Sequence, residues 1–197
     1  MIKISCVGDS LTHGYLVEDR EVNCYPAVLN DLLGEEEYVV GNFGVNGHTM
    51  LKSGDAPYWD HEFFKLSALM EPDIVIIMLG SNDSKAHNFT DMDTFIADYE
   101  AMIAYYKNLD SKPRLYLNTP PTVFPVKNGA TSNIRSTVVN DISQAIINLG
   151  RKHRISVIDV NKKTADFEEG FVDDGVHTNK NGANLIANVV FRELSKK

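Results

Sequence analysis

Near one end of the chain a serine stands in the run Gly8-Asp9-Ser10-Leu11-Thr12-His13-Gly14. Near the other, Asp174-Gly175-Val176-His177 sets a carboxylate three residues ahead of an imidazole. A serine hydroxyl is a poor nucleophile at neutral pH. It needs a histidine to accept its proton and a carboxylate to hold that histidine in the right tautomer and orientation. Ser10, His177 and Asp174 are groups of those three types and have the makings of a hydrolytic site. Three-residue spacing puts Asp174 and His177 on one face of a helical turn, whereas Asp173 falls one position too early and reads as solvated surface. Taken alone, the pair leaves a second reading open, with Asp174 as a cap and His177 as a satisfied polar residue.

Groups so far apart along the chain meet only if the fold carries them together. Short runs rich in Val, Ile and Leu alternate with longer amphipathic stretches, the pattern of a mostly parallel sheet flanked by helices. Five strands are predicted, over 2–7, 38–42, 73–79, 114–118 and 156–160. The run Ile74-Val75-Ile76-Ile77-Met78-Leu79 is apolar without alternation, as a strand covered on both faces requires. Helical spacing links Tyr25, Val28, Leu29, Leu32 and Leu33. It recurs in Met92, Phe95, Tyr99, Met102 and Tyr106, in Ile134, Val138, Ile142, Ile146 and Leu149, and from about Asn181 through Leu185, Ile186, Val189 and Val190. In such a sheet ligands gather at the carboxyl ends of the strands. Ser10, Gly44 with Gly47, Gly80-Ser81-Asn82-Asp83 and the Asp174-His177 pair all follow strands. The irregular stretch 119–132, with Pro120, Pro121, Pro125 and Gly129, is too long for a plain connector and is a candidate border of a binding site.

A length of 197 residues, 43% hydrophobic and 23% charged, bounds the chain as one soluble globular domain, 1–197. A net charge of −8 argues against nucleic acid or an anionic membrane as the main partner. Only Cys6 and Cys24 are present, which is no disulfide framework, and they are expected as reduced thiols. No apolar run reaches membrane-spanning length and no leader pattern precedes the first strand, so the expected compartment is the cytoplasm. The six histidines are scattered without metal-ligand spacing, and no metal is expected.

Gly8-Asp9-Ser10-Leu11, Asn42-Phe43-Gly44-Val45-Asn46-Gly47, Gly80-Ser81-Asn82-Asp83 and Asp174-Gly175-Val176-His177 resemble, in order and across nearly the whole chain, the four signature blocks of the SGNH (GDSL) hydrolases. The resemblance implies a three-layer α/β/α sandwich, flavodoxin-like in strand order with a five-stranded parallel sheet, and cofactor-free hydrolysis of esters or thioesters by a carboxylic ester hydrolase. Carried over by position, it makes Ser10 the nucleophile, His177 the general base and Asp174 its partner. The oxyanion hole would be the backbone N–H of Ser10 and Gly47 and the side-chain amide of Asn82. Donors of that kind suit a developing oxyanion.

The run Met78 to Lys85, with Ala56-Pro57-Tyr58-Trp59 and Thr119-Pro120-Pro121, is similar to the bacterial carbohydrate acetylesterase-like branch. That implies a small acyl ester as substrate, an acetylated sugar. His48, where many members carry an acidic residue, is a candidate substrate contact or a solvated turn residue. Tyr58 or Trp59 offers a ring for stacking on a sugar, with packing against the sheet edge as the alternative. Rival functions are a thioesterase or lysophospholipase acting on longer chains and, outside the enzymes, a phosphate or flavin binding module. The module has no use for Asp174 and His177, and the Gly-x-Gly-x-x-Gly and Walker patterns are absent.

Overall fold

The computed structural model describes residues 1–196. Five strands, β1 (Ile2–Gly8), β2 (Tyr38–Gly44), β3 (Ile74–Met78), β4 (Arg114–Asn118) and β5 (Ser156–Ile158), form one sheet in the order β2-β1-β3-β4-β5. Every pairing is parallel, with β1 in register against both β2 (Ile4 opposite Val40) and β3 (Ile4 opposite Ile74). The strand order reverses between β1 and β3, and the crevice beyond the carboxyl ends at such a point is where ligands bind in open α/β sheets. This is the expected three-layer sandwich.

In chain order the helices are α1 (Ser10–His13), α2 (Arg20–Asn23), α3 (Tyr25–Leu33), α4 (Glu62–Leu69), α5 (Met92–Lys107), α6 (Ser136–His153), α7 (Val160–Thr164) and α8 (Lys180–Leu194). On one face of the sheet Phe64 of α4, Phe95, Tyr99, Met102 and Tyr106 of α5, and Ile142 and Ile146 of α6 pack against Val75 and Ile77. On the other, Tyr25 and Leu29 of α3 and Ile186 and Val190 of α8 cover Ile4, Cys6 and Ile76. β3 therefore shows apolar side chains to both layers. That is why its sequence lacks alternation.

Caps end the helices where the apolar stripes stop. The Asp91 carboxylate accepts from Thr94 N–H at 2.8 Å to start α5, and the Asn179 side chain accepts from Asn181 and Gly182 N–H at 2.9 and 3.2 Å to start α8. Several elements differ from the sequence reading. The last strand stops at Ile158, because the Asp159 carboxylate caps Lys162 N–H and Val160 begins α7. The helix expected from Ile134 begins at Ser136, and α4 was not foreseen. Cys6 and Cys24 are free and buried, and burial pushes the Cys6 thiol up to about 12. No helix of the described residues is long and apolar enough to cross a membrane.

Candidate active site

β1 delivers Ser10 by ending at Gly8 and turning at once into α1. Asp9 caps that helix, its Oδ1 accepting from Leu11 N–H at 3.0 Å, and Ser10 takes the first helical position. Its N–H is one of the orphan donors of a helix start, and no other protein group among the described residues accepts it. Ser10 is all but buried, at 7% exposure, and lines the cleft.

Asp174 and His177 come from the turn that precedes α8. The carboxylate does two jobs there. Its Oδ1 accepts from the backbone N–H of Val176 and His177 at 2.8 and 2.9 Å, and its Oδ2 accepts from His177 Nδ1 at 2.6 Å. The three-residue spacing thus works through a side-chain-capped turn, and the helical face expected from it is absent. The sequence reading set capping against partnership for Asp174; the turn does both. Gly175 takes φ +71°, and a Cβ there would run into the Phe124 carbonyl, so glycine is required. Asp173, as expected, faces outward, with its carboxylate on Asn128.

His177 Nε2 lies 2.9 Å from Ser10 Oγ. With Nδ1–H committed to a carboxylate, the Nε2 lone pair is free to accept the serine proton. Burial works to raise the Asp174 pKa, but the bonds from the His177 ring and from the two backbone N–H groups outweigh it and hold the carboxyl below its ordinary value. Tyr15 stacks edge-on against the His177 ring, centroids 4.9 Å apart, and helps fix its plane.

The loops after β2 and β3 are tied to one another. Buried Asp83 accepts from Leu51 and Met50 N–H at 2.7 and 3.0 Å, and burial pushes its carboxyl up to about 6 in spite of those bonds. The Asn82 amide donates to the His48 carbonyl at 3.2 Å, while Asp9 Oδ2, at 3.5 Å, is too far to hold it firmly. Asn88 in turn donates to the Asn82 carbonyl at 3.0 Å. Gly47 sits at φ +81°, a conformation L side chains rarely adopt, and no protein group among the described residues accepts its N–H. Ser10, Gly47 and Asn82 all line one cleft of about 240 Å³ with Asp174 and His177. Asp9 lies beneath it, fully buried, and burial pushes its carboxyl up to about 7, with the Leu11 N–H and the charge of Lys85 offsetting this only in part.

The three residues expected to touch substrate are not among those lining the cleft. Tyr58 is fully buried and its hydroxyl donates to the Phe43 carbonyl at 2.7 Å, which corrects the expectation of a ring open to stacking on a sugar. Trp59 spends its indole N–H on the Met50 carbonyl at 2.8 Å, and Lys52 covers its ring at 4.4 Å. The His48 ring turns towards the Asn46 carbonyl, 2.9 Å from its Nδ1, and packs edge-on to His61. In their place Tyr15, Asn46, Lys85 and the segment Thr131 to Ile134 line the cleft. The long loop after β4 had signalled Thr131 and Ser132, and Asn46 and Lys85 lie in quoted motif runs without having been singled out as contacts; Tyr15 carried no signal. Among the described residues no three His, Cys, Asp or Glu side chains are gathered to hold a metal ion.

A family model described as GDSL-like Lipase/Acylhydrolase matches residues 6–185. An acetylxylan esterase of Xylanibacter ruminicola is 31% identical over 96% of this chain, which spans 42% of that relative's length. A solved lipase/acylhydrolase from Enterococcus faecalis is 26% identical, with a TM-score of 0.75 over 98% of this chain and 95% of its own. A carbohydrate acetylesterase from Sinorhizobium meliloti shares the fold at a TM-score of 0.83 over 99% of both chains, with 15% identity.

Proposed function

This chain belongs to the GDSL-like lipase/acylhydrolase family, and from that premise we propose that it is a serine esterase, one domain over 1–197, that removes a small acyl group, acetyl, from a hydroxylated carbohydrate. The observation that carries the proposal is the relay from Ser10 Oγ to His177 Nε2 at 2.9 Å and on from His177 Nδ1 to Asp174 at 2.6 Å. In the cycle His177 withdraws the serine proton as Oγ attacks the ester carbonyl. Charge then develops on the carbonyl oxygen, where the free N–H groups of Ser10 and Gly47 and the Asn82 amide are the available donors. The imidazolium, steadied by Asp174, passes its proton to the departing alcohol. Water activated by the same ring then hydrolyses the acyl-enzyme and restores Ser10.

Cleft size and lining support a short acyl group. About 240 Å³ falls below the usual range for sites that enclose drug-sized ligands, roughly 300 to 1,000 Å³. The apolar side chains on it are few, Ile134 and Val176 with the ring of Tyr15, whereas Asn46, Ser81, Thr131, Ser132 and Asn133 offer hydrogen bonds of the kind sugar hydroxyls accept and donate. The sugar reading also draws on the acetylxylan esterase relative. Kinetics on 4-nitrophenyl acetate, butyrate and octanoate and on an acyl-CoA test it: acetate is expected to give the highest kcat/KM, and Ser10→Ala to remove on the order of 10⁴ or more of kcat. An octanoate or acyl-CoA preference would refute the small-acyl reading, and wild-type turnover in Ser10→Ala would refute the mechanism.

A further inference from the structure

Resting on that esterase reading, a feature the reaction itself does not use points to the kind of alcohol the ester is built on. Lys85 lines the cleft beside Ser10, Asn82 and His177. Its backbone is pinned: its N–H donates to the Asn82 carbonyl at 3.2 Å, and its carbonyl accepts from Asn88 and Phe89 at 3.0 and 2.9 Å. The side chain therefore springs from a fixed point three residues beyond a proposed oxyanion donor.

The ammonium has no ion-pair partner within 4 Å among the described residues. Asp55 feels its charge but is bonded to Asn88 at 2.9 Å and to His87 at 3.0 Å, and Asp98 is taken by Lys52. The cleft's own carboxylate, Asp174, is turned wholly towards His177 and its turn. Apart from the catalytic imidazole, Lys85 is the only basic group on the lining, and the side chains around it are uncharged amides and hydroxyls.

The chain as a whole carries a net charge of −8 and so repels anions. A cation without an ion-pair partner on the lining of the cleft offsets that field for an anion bound close to it. We infer that Lys85 is a specificity-determining residue that selects esters whose sugar carries an anionic group, a carboxylate or a phosphate, close to the acetylated hydroxyl. A lysine ammonium suits this as a point charge on a flexible stem, and it accommodates either anion without the fixed fork of an arginine.

Matched esters test the inference. kcat/KM is measured at low ionic strength for O-acetylated glucuronate against O-acetylated glucuronamide, and for O-acetylated glucose 6-phosphate against O-acetylated glucose, with wild type, Lys85→Gln and Lys85→Arg. Wild type is expected to favour the anionic member of at least one pair by about tenfold, the scale of one charge-assisted hydrogen bond, and the preference should shrink as salt is added. Lys85→Gln should lower that ratio to one or below, and Lys85→Arg should keep most of it. Preference within one pair alone supports the inference and identifies the anion. Equal rates within both pairs in wild type would overturn it. So would a Lys85→Gln variant that slows charged and neutral members alike, since a role in stabilising the oxyanion or in tuning Asp9 acts on both. Ser10-dependent hydrolysis of 4-nitrophenyl acetate is measured alongside: its absence refutes the esterase reading, whereas its presence without an anion preference refutes only the role of Lys85.

Discussion

Two turns at the cleft each begin with an aspartate whose carboxylate accepts backbone N–H groups. Asp9 accepts from Leu11 and caps α1; Asp174 accepts from Val176 and His177 ahead of α8. Asp9 is 1% exposed, and burial pushes its carboxyl up to about 7. Asp174 is partly open to solvent, gains a further bond from the His177 ring, and is held below the ordinary value. The same residue in a similar local motif is thus pushed in opposite electrostatic directions, because one carboxyl has lost its water without an ionic partner and the other has kept some water and gained an incipient cation. In the proposed mechanism the turn that would stabilise an imidazolium carries the firm charge, and the turn that would aim the nucleophile does not need one.

Exchanging each carboxyl for an amide probes that contrast directly. Asp174→Asn keeps the shape of the turn but deprives His177 of its anionic partner, and kcat is expected to fall on the order of 10⁴. Asp9→Asn replaces a carboxyl already inclined to be neutral, and the expected loss in kcat/KM is about tenfold or less. If Asp9→Asn proved as damaging as Asp174→Asn, the contrast would fail. Between the two, Asn82→Ala removes one proposed oxyanion donor and should cost about 10²- to 10³-fold in kcat with little change in KM.

The remaining effect is on stability. A carboxyl whose folded pKa lies above its unfolded value binds more protons in the folded state over the interval between them. Asp9, raised from 3.8 to about 7, therefore makes stability fall as pH rises through that window. Asp83, raised to about 6, adds to the same trend. Asp174 has the opposite sign: its contribution is present above 3.8 and is lost as pH falls through its lowered folded pKa. Denaturant titrations between pH 4 and 7.5 should therefore show a shallower decline in Asp9→Asn than in wild type; in what remains Asp83 contributes to the decline, while His13 and His61, whose pKa values burial lowers, oppose it. An unchanged slope would mean that Asp9 is ionised throughout.

Much of this was legible in sequence because its signals are local. β3 announced itself by an unbroken apolar run, and α5 by a stripe whose members Phe95, Tyr99, Met102 and Tyr106 are all buried. Ser10, Gly47, Asn82, Asp174 and His177 were marked by the four blocks that resemble the SGNH signature, and all five line one cleft. α4 was hidden because a polar residue, Ser67, occupies one of its buried positions, made tolerable by hydrogen bonds to the Phe64 carbonyl and the Tyr106 hydroxyl. Tyr58 misled because an aromatic ring with a polar edge suits a sugar and a core equally well. What decided it was the Phe43 carbonyl, fifteen residues away in sequence. Ile134 extended a helical stripe in spacing alone, and it lines the cleft just ahead of α6, which starts at Ser136. Lys85 closes the run that begins at Met78, but nothing in that run marks it as a cleft residue. Its place depends on loops from several strands meeting, which no window of sequence contains.

Covalent trapping puts the pairing of Ser10 with His177 to the most direct test. Intact protein treated with a fluorophosphonate is mapped by peptide mass spectrometry, in wild type and in His177→Ala. A single phosphonyl adduct on Ser10, formed far more slowly in the variant, is expected. An adduct on another residue, or equal labelling of Ser10 with and without the imidazole, would contradict the mechanism.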